Sequence, residues 1–437
     1  MLTMLVAGLL VIAPAEFHPA LSEYMAAVAL ERPVTLVALE DVLKSSPGDD
    51  DPEKVKRFIY ASWRAGRISH VLLVGDADCM PMRFMVLDRT TPAAWNRAFY
   101  PSDLYYADVA RSDGSFDDWN ASRESFHAGY FGEVCGEHEK DGVINRDAVD
   151  YVPELALGRW PVSTVEEVRL VAEKTLCHRR RALEHVASRA TLIAVGGWVE
   201  NRPAMDGLSA ALSRRFQIER HYWKGAGRDD GTALPSVAAT LASFSGGSQL
   251  LLHSGHGHDD GWDQAFDSKA IARLGNAATP AVIMSAGCST ARCVTLPPYE
   301  PYVDVGGIEH RGTNAGEVFT AAPPPPRPYQ RGLHNPSGLG EKFLRAGPTG
   351  AVAYIGCSTG SQPCALTLQA AFAEAAGRVT DASGFKTTVG SAWRDALASY
   401  VVREKLRELR PTESWYPASI FFQGMKFMLF GDPTAPL

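Results

Sequence analysis

Two apolar stretches decide how this chain folds: LLLHSGHGH at residues 250–258 and AVIMSAGCS at residues 281–289. Each is an apolar run of strand length that ends abruptly in small residues, which is typical of a strand leaving the core. In open parallel sheets, chemistry gathers at the carboxyl ends of strands. The first stretch places His256 at such an end, and the second places Cys288 there. A base and a thiol at successive strand ends indicate a hydrolase with a cysteine nucleophile.

The residues around these strands alternate between strand and helix patterns. In the front half, strands are expected at residues 9–13, 34–39, 71–74 and 155–159, with helices starting at Asp51-Pro52-Glu53 and at a capping box of Ser163 and Glu166. In the back half, strands are expected at residues 191–195, 217–222, 248–253, 281–285, 351–355 and 426–430, with helices between them. Strand–helix–strand alternation predicts an α/β fold with a mostly parallel sheet.

The chain is long enough for two domains. We divide it into an N-terminal α/β subdomain at 1–185 and a catalytic subdomain at 186–437. Residues 103–150 are rich in Asp, Gly, Ser and aromatic residues, which indicates an irregular excursion. Residues 294–336 contain four consecutive prolines, so this insertion is expected to be a loop or flap.

Composition narrows the partners. The 437 residues carry a net charge of −7 without a dense basic stripe, which disfavours nucleic acid, and no apolar run is long enough to span a membrane. The hypothesis of a cysteine-nucleophile peptidase implies a protein or peptide substrate, and nothing specifies an oligomeric state. Seven cysteines are too few for a disulfide framework, and no basic residue precedes the apolar N-terminus as in a signal peptide. These features favour a cytoplasmic location.

Several further stretches resemble the gingipain-type cysteine peptidases of the caspase-like clan. They occur in the same order as in that family and span residues 9–433: VLLVGD at 71–76 followed by Met80-Pro81, SDLYYAD at 102–108, LGRWPV at 157–162, GAVAYIG at 350–356 and FGDP at 430–433. The resemblance implies a caspase-like three-layer α/β/α sandwich preceded by a smaller α/β subdomain. It also implies a cysteine endopeptidase, and its members suggest secretion as the alternative location.

The resemblance assigns the catalytic histidine to His256 and the nucleophile to Cys288, and makes His253 and His258 neighbours rather than catalysts. A tetrahedral oxyanion needs backbone donors, for which the amides of Gly257 and Cys288 are the natural candidates. No cofactor is required for this chemistry.

Three residues are candidates for substrate binding. In arginine-specific members of the family, an acidic residue on the loop after the first strand of the caspase-like half lies at the base of the primary pocket. Asp206 is the best match by position and Glu200 the second, which predicts cleavage after basic P1 residues. An Asp near a helix start is also a simple dipole partner. Cys357 is expected to line the substrate groove or to pack in the core.

Other classes of function remain alternatives. A catalytically inactive binding or scaffold protein need not keep both His256 and Cys288. A metal-dependent hydrolase would draw its zinc ligands from the residues around the two strand ends: His253, His256, His258, Asp259, Asp260, Cys288 and Cys293. This spacing matches no zinc motif, so no catalytic metal is expected. The acidic excursion with Asp113, Asp117 and Asp118 is a candidate structural calcium site.

Overall fold

A computed structural model describes residues 8–87, 99–119, 131–134, 141–145, 149–182, 188–224, 232–381, 384–412 and 416–437. Ten strands form one continuous sheet. In chain order they are β1 (Gly8–Ala13), β2 (Val34–Ala38), β3 (Ile68–Val74), β4 (Ala156–Trp160), β5 (Arg189–Ala194), β6 (Gln217–Tyr222), β7 (Leu250–Ser254), β8 (Ala281–Ser285), β9 (Ala351–Cys357) and β10 (Phe427–Gly431). Their order across the sheet is β2-β1-β3-β4-β10-β9-β8-β7-β5-β6.

The strand directions place the functional edge. Strands β5 to β9 are parallel to one another. Strand β10 is antiparallel to β9 and parallel to β4, so β1 to β4 run in the opposite direction. The carboxyl ends of β5, β7, β8 and β9 therefore meet at one edge. This mostly parallel sheet confirms the predicted α/β class.

Helices cover both faces of the sheet. They are α1 (His18–Ala29), α2 (Leu39–Ser45), α3 (Asp51–Arg64), α4 (Leu104–Ala107), α5 (Val165–Arg181), α6 (Arg202–Leu212), α7 (Val237–Ser245), α8 (Leu339–Arg345), α9 (Ala365–Ala376), α10 (Val389–Arg403) and α11 (Tyr416–Gln423). Helices α3, α6, α9 and α10 pack on one face, and α1, α5, α7 and α8 on the other. The result is the predicted three-layer sandwich. None of the helices in the described ranges is long and apolar enough to cross a membrane.

Two helix starts differ from the sequence prediction by one residue. Asp50, rather than Asp51, caps α3 by accepting a hydrogen bond from the Glu53 amide. Thr164, rather than Ser163, caps α5. Each prediction chose between adjacent residues of the same capping type, and sequence alone does not rank them.

The N-terminal segment 1–185 and the C-terminal segment 186–437 both contribute strands to the sheet. Strand β10, from the C-terminal end, lies between β4 and β9. A Cβ at Gly158 in β4 would lie 2.3 Å from the carbonyl oxygen of Gly431, so glycine permits this close approach. The predicted boundary near residue 185 lies outside the described residues, as does part of the 103–150 excursion. The division at 185 therefore remains a proposal.

A buried ion pair joins two of the family-like stretches. The guanidinium of Arg159, in LGRWPV, is fully buried and donates to both carboxylate oxygens of Asp103, in SDLYYAD, at 2.8 and 2.7 Å. It also donates to the carbonyl of Gly75 at 3.1 Å. These segments are far apart in sequence, and the paired charges fix their positions against each other in the core.

The insertion at 294–336 is mainly loop with short regular elements. Tyr302–Val303 pairs with Glu309–His310 as a small antiparallel ribbon. The hydroxyl of Tyr329 donates to Asp51, which anchors the end of the insertion on the N-terminal half.

Candidate active site

His256 and Cys288 lie together at the functional edge of the sheet. Strands β7 and β8 are neighbours in register, with His253 opposite Ser285, so the residues that follow them emerge side by side. Both His256 and Cys288 are half-buried and line one cleft. The structure thus brings together the two residues that the sequence singled out.

Close backbone packing shapes the turn that follows β7 and the turn that follows β8. Gly255 has φ +119°, and a Cβ there would lie 2.3 Å from the carbonyl oxygen of Val195. A Cβ at Gly287 would lie 2.9 Å from the Cα of Gly257. The chain after β7 therefore contacts the chain after β8 directly, at a distance that side chains would prevent.

The thiol of Cys288 is held by the loop that follows β9. Its sulfur accepts a hydrogen bond from the Ser361 amide at 3.3 Å and lies 3.5 Å from the Ser361 carbonyl oxygen. Ser289, the next residue, has φ +53° and donates its amide to Thr359. This left-handed turn directs the chain away from the sheet immediately after the thiol.

His256 faces the loop that follows β5. Its ring and the indole of Trp198 meet edge to face, with the ring centroids 6.0 Å apart and the planes at 75°. Its backbone amide donates to the carbonyl of Gly196. The imidazole therefore stands at the rim of the cleft beside an indole that is 65% exposed.

The neighbouring histidines have other surroundings. The ring of His253 is buried, stacks on Trp262 at 4.7 Å and bonds through Nδ1 to the Ser285 hydroxyl. Burial lowers the pKa of His253 to about 3, so this side chain is neutral at ordinary pH. His258 is exposed and accepts from the Asp260 amide through Nδ1. Neither belongs to the residues that line the cleft.

The expected oxyanion donors are adjacent in space. Gly257 packs against Gly287, the residue before Cys288. Among the described residues, no acceptor is hydrogen-bonded to the amide of Cys288. That the amides of Gly257 and Cys288 donate to the oxyanion remains an expectation from the chemistry of acyl transfer.

Cys357 packs in the core and does not line the cleft. Burial raises the pKa of its thiol to about 12, which disfavours the thiolate. Of its two predicted roles, packing agrees with this position. Cys293 is also buried, and burial raises the pKa of its thiol well above the usual range.

The two predicted pocket carboxylates lie elsewhere. Asp206 is inside α6 and pairs with Arg220 of β6 at 3.3 Å. Glu200 pairs with Arg202, whose Nε donates to it at 2.7 Å. Neither carboxylate is among the residues that line the cleft, so their assignment to its base is not supported. Each carboxylate is instead paired with an arginine and partly exposed to solvent.

The predicted zinc ligands do not converge. In the part of the chain that is described, the one group of three or more His, Cys, Asp or Glu ligand atoms that all lie within 4.8 Å of one another is Asp108, Asp117 and Asp150. Only Asp117 belongs to the expected calcium set. Asp113 instead accepts from the Ser115 hydroxyl and amide, and Asp118 faces Arg57 at 3.9 Å.

Sequence reasoning missed the cleft wall. Trp198 and Val199 follow β5, and Pro363 and Leu366 follow β9. Asn201 lies at the buried base, where its carboxamide donates to the carbonyl of Val195. An exposed aromatic next to two glycines in the loop 196–203, directly after a predicted strand, was the available signal.

A comparison with curated proteins finds no match. A comparison with solved structures agrees with this architecture. Among solved structures, the Arg-specific cysteine proteinase gingipain R (RgpB) is similar with a TM-score of 0.63 and 14% identity, covering 99% of this chain and 78% of that one. A complex of the pro- and mature domains of RgpB from Porphyromonas gingivalis gives 0.63 and 15%, covering 99% and 80%.

These structural similarities, at 14% and 15% sequence identity, support the caspase-like fold alone. The model of peptidase family C25 matches residues 5–437, which is nearly the whole chain. The chain is therefore a member of peptidase family C25, a family of cysteine peptidases.

Proposed function

We propose that Cys288 is the nucleophile and His256 the proton-transfer group of this endopeptidase. The observation that carries the proposal is that both half-buried side chains line one cleft, at the ends of two paired strands. The other cysteines at this edge have core positions, and burial raises their pKa values. Membership in a peptidase family makes proteins or peptides the substrates.

The reaction follows from these positions. The sulfur of Cys288 forms a bond to the scissile carbonyl carbon, and its proton passes to His256. The oxyanion would accept hydrogen bonds from the backbone amides of Gly257 and Cys288. His256 then protonates the leaving amine as the C–N bond breaks. Water hydrolyses the thioester, which releases the acid product and restores the thiol.

Two alternatives have less support. A binding or scaffold protein would not need a histidine and a thiol lining one cleft. A metal-dependent hydrolase would need several ligands close together, but the histidines around the cleft diverge: His253 points into the core and His258 is exposed. The six described cysteines are free, which fits a reducing compartment such as the cytoplasm. Members of the family are secreted or surface proteases, so secretion stays the alternative location.

The kinetic test compares paired substitutions. Cys288→Ala should abolish peptide hydrolysis, and His256→Ala should lower kcat/KM by at least ~10², the scale for a positioned acid–base group. His258→Ala and Cys357→Ala are the controls and should keep most of the activity. Hydrolysis by Cys288→Ala at the wild-type rate would refute the assignment. A larger loss at His258 than at His256 would move the proton-transfer role along the turn.

A further inference from the structure

The cleft beside Cys288 has an apolar wall. Trp198 and Val199 contribute large exposed apolar surfaces, 65% and 41% accessible, from one side. Pro363 and Leu366 line it from the loop and helix that follow β9. Exposed apolar side chains clustered beside a nucleophile are typical of a surface that binds an apolar group.

Apart from His256 and Cys288, the polar residues of the cleft carry no ionisable side chain. Its described lining contains no carboxylate, and its polar members are Asn201, Ser254, Ser361 and Gln362 together with His256 and Cys288. The carboxamide of Asn201 is buried and donates to Val195 and Ser254 at 3.0 and 3.1 Å. It also accepts from the indole of Trp223 at 3.0 Å. The base of the cleft is therefore formed by a neutral group that is already hydrogen-bonded.

The charged residues near the cleft do not favour the binding of a cationic substrate side chain. Glu200, next to the lining residues, is paired with Arg202, which stacks over Trp223 at 4.2 Å and is thereby fixed. On the other side, the ammonium of Lys426 donates to the carbonyl of Gly360 at 3.3 Å. A guanidinium entering the cleft would lose its water without gaining a free carboxylate from the described residues that line it.

We propose that this cleft is the primary specificity pocket and that it selects an uncharged, apolar P1 side chain of the size of leucine, methionine or norleucine. The proposal rests on the proposed role of Cys288, because P1 is the residue whose carbonyl that thiol attacks. A pocket of this kind separates substrates by the apolar surface it covers and by the charge it leaves unpaired.

The test uses P1 isosteres in otherwise identical peptide substrates. Norleucine has the carbon chain of lysine without its charge, and citrulline has the shape of arginine without its charge. We expect kcat/KM to be higher for norleucine than for lysine by ~10-fold or more, and citrulline to equal or exceed arginine. Val199→Asp should shift both ratios towards the charged residue, because it adds a carboxylate to the wall.

Matched variants separate the outcomes. Asp206→Asn and Glu200→Gln should leave both ratios unchanged, because these carboxylates are paired outside the cleft. A wild-type preference for arginine over citrulline that depends on Asp206 or Glu200 would overturn the pocket assignment alone. Absence of turnover with every substrate would overturn both this inference and the proposed function.

Discussion

The thiol of Cys288 is bracketed by the backbone of Ser361, whose amide donates to the sulfur at 3.3 Å and whose carbonyl oxygen lies 3.5 Å from it. Ser361 also begins the lining that continues through Gln362 and Pro363. The loop that positions the nucleophile is therefore the loop that forms one wall of the cleft. A substrate side chain that packs on this wall is placed relative to the sulfur by a single short segment.

The contact between the two catalytic turns predicts an intolerance of side chains. Gly287→Ala should lower kcat/KM by ~10² or more, because its Cβ would lie 2.9 Å from the Cα of Gly257 and push the two turns apart. Gly360→Ala is the matched control, since a Cβ there meets no atom within 4 Å. Steady-state kinetics of the two variants checks this. Similar activities for both would show that the turn contact does not position the reacting groups.

The pair of Arg159 and Asp103 predicts a large cost of breaking a buried charge pair. Asp103→Asn should lower the free energy of unfolding by about 3 kcal/mol, because it leaves the fully buried guanidinium without its counter-charge. The exposed pair of Arg403 and Glu374 provides the control: Glu374→Gln should cost less than about 1 kcal/mol. Denaturant unfolding measures both. Equal costs would mean that the buried pair is no more important than a surface one.

The buried His253 predicts sensitivity to acid. Its folded-state pKa of about 3 lies below the unfolded value, so the unfolded chain binds a proton as the pH falls through about 6.5 while the folded chain does not. The folded state therefore keeps its full stability above that pH and loses stability as the pH falls towards 3. The loss in unfolding free energy reaches about 3 kcal/mol by pH 4.

The variant His253→Phe separates this effect from other titrations. It keeps a ring against Trp262 but cannot bind a proton, so its unfolding free energy should fall less steeply between pH 6.5 and 4. The difference in slope should approach about 1.4 kcal/mol per pH unit. Identical slopes in wild type and variant would show that His253 titrates alike in the folded and unfolded chain.

The sequence predicted the core of the site because strand periodicity and small-residue ends are local signals. His256 and Cys288 follow apolar strands, and the order of strands along the chain brought those ends together. Asp206 comes instead from the family resemblance. In the structure it pairs with Arg220 of β6, fourteen residues further on, and is not among the residues that line the cleft. No local sequence signal reveals such a pair.

The remaining differences between the prediction and the structure concern contacts between residues far apart in the sequence. The strand at the C-terminal end was expected, but its position between β4 and β9 depends on the close contact of Gly158 with Gly431. The acidic cluster likewise joins Asp108 to Asp150 across the excursion. Composition indicated an acidic segment there, whereas the identity of the converging oxygens is set by the tertiary fold.

The site of covalent labelling tests most directly whether Cys288 is the nucleophile. The protein would be treated with two peptidyl acyloxymethyl ketones, one with norleucine and one with arginine at P1, and the modified residue mapped by mass spectrometry. We expect one adduct, on Cys288, which is lost in Cys288→Ala and forms much more slowly in His256→Ala. An adduct on another cysteine with either reagent, or labelling that persists in Cys288→Ala, would contradict this assignment.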